Sequence, residues 1–170
     1  MSAGTVLLSG SGRIVFMHMS DKEIKEAVSC AIRHIGTGVY SSGKILIYLG
    51  GKGYDESVCY AAVKDLVNTG YIDDRRAARK VLAARSGKKQ ESRNYMLQRF
   101  LEAGIDPDIA EDLASELKSD VDTCKSLYEA GFGVPDESSS DREEEFIKLA
   151  RLRGYDFETA VKAFRIYLSE

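Results

Sequence analysis

The heptapeptide "GVYSSGK", Gly38 to Lys44, matches the G-x-x-x-x-G-K core of a phosphate-binding loop, in which backbone amides cradle phosphates and the lysine neutralises them. The residue after Lys44 is Ile45, where the nucleotide fold places the Ser or Thr that holds magnesium. Ahead of the motif, Ile24, Ala27, Val28, Ala31, Ile32 and Ile35 are spaced for one face of a helix, where that fold needs a strand. Nor does a later apolar strand end in the Asp that would supply a second magnesium contact. The expected structure is a loop between two helices, with nucleotide binding through Gly38–Lys44 the weakest of the functional alternatives and no cofactor expected.

Other reactive side chains are scattered. Cys30, Cys59 and Cys124 are far apart, lie among apolar residues and have no metal-ligand spacing, so they are expected to be small core residues. His18 and His34 each lack a Cys or carboxylate at i+3 or i+4 arranged as a ligand set. The carboxylates fall in runs such as "DREEEF", with no apolar setting to raise a pKa toward acid–base work. No catalytic or metal-binding residues are assigned, and the chain is not expected to be an enzyme.

Charge carries more information. Between Arg75 and Arg99 stand nine Lys or Arg and one acid, Glu91, in a chain of formal net charge −3. From Glu102 to Glu145 the balance reverses, with fifteen acids and three bases. Placed on a helix, Arg75, Arg76, Arg79 and Lys80 share one arc, and Ala77, Ala78, Val81 and Leu82 occupy the opposite one. Arg85 falls on the apolar arc, so either the helix ends there or the arginine stem covers apolar surface with its head in solvent. Lys88, Lys89 and Arg93 continue the charge through a turn at Gly87 into a second helix, expected to bury Met96, Leu97, Phe100 and Leu101. One-sign clustering costs self-repulsion and favours a polyanionic or acidic partner over a merely solvated face. Arg75, Arg76, Arg79, Lys80, Arg85, Lys88, Lys89 and Arg93 are therefore the candidate contacts to such a partner.

What positions this arc is a repeat. "KGYDESV", "AGIDPDI" and "RGYDFET" recur so that Gly53, Gly104 and Gly154 lie 51 and then 50 residues apart. In each copy a glycine suited to ending a helix is followed by an apolar residue and an Asp suited to capping the next helix. Pro107, directly after Asp106, sits where a helix tolerates proline best. About 50 residues hold three helices of ordinary length with their connections. The chain thus divides into helical triplets at 21–72, 73–118 and 119–170. Ahead of them, residues 1–20 read as a leader or a β-hairpin, with β-prone runs Thr5–Leu8 and Arg13–Met17 around Ser-Gly-Ser-Gly. The connection Gly131–Asp141 is expected to be the most mobile loop.

With 170 residues, 44% apolar and 30% charged, the chain can bury a core and reads as globular. No run approaches the roughly 18 apolar residues of a membrane span, and the first nineteen lack the pattern of a secretory signal. A cytoplasmic location, no membrane partner and a monomer are expected. The fold class is all-α, three tandem three-helix repeats forming an elongated, curved molecule.

Certain residues also suggest a family. "GYIDDRR" at the junction of the first two triplets, "LQRFLEAGI" in the second and "FGVP…FIKLARLRGYDFETAVKAF" at the end resemble the RecX family of bacterial recombination regulators, from about Glu26 to the C-terminus. The resemblance implies a protein that binds in the groove of the RecA–DNA filament and restrains its ATPase and strand exchange without catalysis of its own. Gly70, Tyr71, Asp73 and Asp74 would shape the corner that aims the basic helix. The alternative from another class is a stand-alone helical DNA-binding module, on single- or double-stranded DNA, with no dependence on RecA.

Overall fold

A computed structural model describes residues 6–8, 14–16, 20–134 and 139–169. Strands β1 (Val6–Leu8) and β2 (Ile14–Phe16) pair antiparallel with Leu7 opposite Val15, within the two β-prone runs. Their connecting turn, His18, and residues 135–138 of the Gly131–Asp141 connection lie outside the described residues. The remaining elements of the described residues are helices. The contacts divide the chain into two compact units, Met1–Asp73 and Asp74–Glu170.

The first unit holds α1 (Asp21–Ile35), α2 (Ser42–Gly51) and α3 (Glu56–Asn68). Ser20 opens α1 by accepting from the Lys22 N–H at 3.2 Å. Ala27 and Ala31 are fully buried and let α1 lie close to α3, while Ile45, Leu49, Val58, Leu66 and Ile72 fill the space among the three helices. A helix, α1, therefore precedes the Gly38–Lys44 heptapeptide, which forms a connection and the first turn of α2. His34 stacks on Tyr48 with ring centroids 3.7 Å apart, and Lys52 stands over the same tyrosine ring. This gives the histidine a packing role.

The second unit holds α4 (Asp74–Ala84), α5 (Arg93–Glu102), α6 (Pro107–Glu116), α7 (Asp120–Phe132), α8 (Glu143–Leu152) and α9 (Phe157–Ser169). Short 3₁₀ turns lie at Gly87–Lys89 and Ser139–Arg142. Among the described residues from Asp21 on, three α-helices thus fall in the first unit and six in the second. Tyr128, Phe146, Phe164 and Tyr167 make the aromatic centre of α7–α9, with Tyr128 edge-on to Phe146. Around α4–α6 the buried residues are smaller, chiefly Ala77, Ala78, Ala110 and Ala114 with Met96, Phe100 and Ile105.

The repeated corner has one physical form. Gly53, Gly104 and Gly154 take φ of 90°, 75° and 86°, the left-handed region in which a side chain is strained. The next residue turns back: Tyr54, Ile105 and Tyr155 donate their N–H groups to Leu49, Phe100 and Ala150, closing orphan carbonyls of the helix just ended. Ile105 and Tyr155 are buried beneath their corners. Asp106 accepts from Asp108 and Ile109 N–H, and Asp156 from Thr159 N–H, so these carboxylates start α6 and α9. Asp55 makes no such side-chain cap at α3. The Thr159 hydrogen bonds hold the Asp156 carboxyl below its ordinary pKa.

The third corner is also packed from outside. A Cβ at Gly154 would lie 2.5 Å from the Tyr95 ring and 2.7 Å from Ser92 Oγ, whereas one at Gly53 would meet open space. Ser92 N–H donates to Arg153 carbonyl at 2.9 Å in the same place.

Gly154→Ala therefore combines backbone strain with a steric clash and should cost about 2–4 kcal/mol of stability, against about 1 kcal/mol for Gly53→Ala. Urea unfolding of the two variants measures the difference, and equal losses would mean the Tyr95 contact is readily relieved. The cysteines give a second check. Cys59 and Cys124 are buried and Cys30 is half-buried, all three unbonded to one another. Burial, aided by the nearby Asp120 and Asp156 charges, pushes the Cys124 thiol up to about 12. At pH 8 it stays protonated and inert, so iodoacetamide should modify Cys124 only once the protein is unfolded, as read by mass spectrometry.

Candidate interaction surface on the second unit

The basic segment folds as its periodicity predicts. Ala77 and Ala78 are buried, Val81 and Leu82 are half-buried, and Arg75, Arg76, Arg79 and Lys80 are exposed on α4. The helix starts with Asp74, which is 6% exposed and accepts from the Asp106 N–H through Oδ2 at 3.1 Å. The acid that opens α4 thereby also holds the corner that opens α6. Just before it, Gly70 takes φ 78°, Tyr71 is exposed, and the Ile72 N–H returns to Leu66 carbonyl, a corner ending α3. Asp73 is exposed.

The eight candidate cations do not share one environment. Arg75 reaches α6, donating through Nη1 to Glu116 at 3.2 Å and through Nη2 to Asp112 at 3.4 Å. Arg85 follows the end of α4 and turns to Glu91, with Nη1 3.6 Å from Oε1. Arg93 is half-buried, donates through Nη2 to the Leu117 carbonyl, and has its backbone N–H on Asp120 at 2.8 Å. Arg79, Lys80, Lys88 and Lys89 are exposed and have no ion-pair partner among the described residues. Arg76 is exposed beside them on α4. Lys88 and Lys89 belong to the 3₁₀ turn, which Gly87 begins at φ 61°. The outer side of α4 and this turn thus carry exposed cations.

Glu91, the single acid of the basic stretch, organises it. Its carboxylate is 3% exposed and receives a bidentate pair from Arg99, Nε to Oε2 and Nη2 to Oε1, both at 3.1 Å. Arg99 also donates to Glu102 at 2.9 Å, and these two acids hold its pKa above the ordinary arginine value. A buried carboxylate without partners would be strongly destabilising, and the Arg99 pair, with Arg85 at 3.6 Å, offsets that cost. With Arg85 arriving from the end of α4 and Arg99 from α5, Glu91 ties both helices to the strip of chain that carries Lys88 and Lys89. Nothing local announces this role, because Arg99 lies eight residues away and on a different element. Leu101, expected in the core, is instead 45% exposed, the buried stripe of α5 being Met96 and Phe100.

Glu91→Ala should destabilise the second unit by about 2 kcal/mol, less than for a fully dry pair because both arginines keep about a third of their side-chain exposure. A double-mutant cycle in urea unfolding should give Glu91 a larger coupling to Arg99 than to Arg85, following the bidentate geometry.

Among the described residues no group of three His, Cys, Asp or Glu is placed to hold a metal, and no helix is long and apolar enough to cross a membrane. No family model matches the chain. A curated relative, "Regulatory protein RecX" of Chlorobium phaeobacteroides (strain BS1), is 28% identical over 101 residues, which cover 59% of this chain and 67% of the relative. The fold is similar to the crystal structure of RecX from Lactobacillus salivarius, with a TM-score of 0.64 over 88% of this chain and 99% of that one, at 14% identity. The sequence relative and the structural neighbour both bear the RecX name, and the likeness to the latter shows the fold of this chain.

Proposed function

We propose that this chain is a non-catalytic regulator that binds the RecA–DNA filament and restrains its ATPase and strand exchange, acting in DNA repair, recombination and the SOS response. The likeness to RecX proteins in sequence and in fold supports the partner, and a cytoplasmic setting beside chromosomal DNA accords with it. The observation that carries the mode of contact is the set Arg79, Lys80, Lys88 and Lys89, four exposed cations without ion-pair partners among the described residues. Unpaired cations on one helix face and the turn after it form an electrostatic footprint for phosphate or for an acidic protein surface. In this proposal Arg75, Arg85 and Arg93 set the shape of that footprint through their internal partners, and Arg76 extends it.

A second reading has the same surface binding naked DNA without RecA. Phosphate contacts would then make binding fall with salt at a log–log slope near −0.9 per phosphate on duplex DNA. Affinity for RecA–DNA filaments with negligible affinity for the same DNA alone at physiological salt would exclude it.

The decisive assay is RecA ATPase on single-stranded DNA, titrated with the wild type and with an Arg79→Glu/Lys80→Glu/Lys88→Glu/Lys89→Glu variant. These positions avoid the internal ion pairs of Arg75, Arg85 and Arg99, so the fold should persist, which circular dichroism checks. The wild type should inhibit, and the variant should require at least about tenfold more protein for the same effect. Equal inhibition would remove this surface from the mechanism, and no inhibition by the wild type would overturn the proposed function.

A further inference from the structure

Arg75 differs from the other engaged cations in what its release would leave behind. It stands in the first turn of α4, one turn before Arg79, and its guanidinium reaches α6, meeting Glu116 at 3.2 Å and Asp112 at 3.4 Å. The Arg75 side chain is 46% exposed, and those of Asp112 and Glu116 are 68% and 59% exposed. Freeing Arg75 therefore leaves both acids in water, where hydration replaces the guanidinium at little cost. Arg85 and Arg93 lack that freedom. Releasing Arg85 takes a partner from the buried Glu91 carboxylate, and releasing Arg93 takes a donor from the Leu117 carbonyl.

The pairing therefore does little for the fold, yet it has a direct effect on charge. Without it Arg75 would be a further cation on the exposed arc that already carries Arg79 and Lys80. With it, two carboxylates occupy the guanidinium and set negative charge at the edge of that arc. Carboxylate and phosphate oxygens are competing acceptors for the same guanidinium donors.

We propose that Asp112 and Glu116 are specificity-determining residues that withhold Arg75 from the phosphates of a nucleic acid and so keep the affinity of this face for naked DNA low. The inference rests on the outer side of α4 being the contact face, and it deepens that reading by naming what restrains it. Specificity of this kind comes from a built-in competitor rather than from an added attraction. A nucleic acid would meet Arg79, Lys80, Lys88 and Lys89 first, and would gain Arg75 only by displacing two acids together.

The test is fluorescence anisotropy of a fluorescein-labelled DNA duplex across a salt series, with four full-length proteins: the wild type, Arg75→Gln, Asp112→Asn/Glu116→Gln, and the triple variant that combines them. All four positions of the clasp are exposed in their substituted state, and circular dichroism checks that each protein is folded. Neutralising the two acids should tighten binding about fivefold, the worth of two weak exposed pairs. It should also steepen the log–log salt slope by about 0.9, for one added phosphate contact. Arg75→Gln alone should leave affinity nearly unchanged, because the arginine is already withheld, and in the triple variant it should return affinity and slope to the wild-type values. Unchanged affinity on neutralising the acids would overturn the proposal, and so would a gain that persists without Arg75, which would be a plain loss of negative charge. Binding by none of the four, even at low salt, would also overturn it. The wild-type ATPase titration is independent of this comparison, so the proposed function and the role of the two acids fail separately.

Discussion

Helices α2, α5 and α8 end at glycines held in the left-handed backbone region. A helix of ten to fifteen residues leaves carbonyls at its end that must find donors. At Gly53, Gly104 and Gly154 the positive φ swings the following N–H back onto those carbonyls. The same step drops an apolar residue inward, and at Asp106 and Asp156 it sets a carboxylate where the next helix needs an acceptor. One short motif therefore stops a helix, anchors the turn and starts another. Asp74 links this device to the charged surface, since it begins α4 and at the same time accepts the Asp106 N–H from the second corner.

Electrostatics is built on that frame at two levels. Inside the second unit, α6 acids take up Arg75 and the buried Glu91 takes up Arg85 and Arg99. Outside, Arg79, Lys80, Lys88 and Lys89 keep their charge in solvent. The pairs of the buried Glu91 cost desolvation and the exposed Arg75 pairs are weak, so both contribute little net stability, but they set which cations are engaged within the unit. A run of nine basic residues thus separates into a structural set and a surface set. Only the second can meet a partner without first breaking a contact.

That separation explains what could be read in the sequence and what could not. The corners were legible because glycine, apolar residue and aspartate act within six residues of one another. The α4 stripe was legible because Ala77, Ala78, Val81 and Leu82 obey the helical period, and the helix before Gly38–Lys44 foretold a connection there, although its last three residues already belong to α2. Pairings across the chain were not. Arg75 meets acids 37 and 41 positions away, and Arg93 meets the Leu117 carbonyl 24 positions away, so their engagement depends on how helices pack. Glu91 looked like a lone exception in a basic stretch, yet burial makes it the residue that the neighbouring arginines answer to. Leu101 misled for the opposite reason. It carries a core residue's chemistry on the side of α5 that its neighbours leave open.

The outer side of α4 and the Gly87–Lys89 turn are the face proposed to meet the filament. Hydrogen–deuterium exchange of the protein, alone and bound to RecA assembled on single-stranded DNA, tests it most directly. Slowed exchange in peptides spanning residues 76–90, with α6 and the early part of α7 unchanged, is the result this account predicts. Protection confined to the acidic stretch 102–130, or to the first unit, would contradict it.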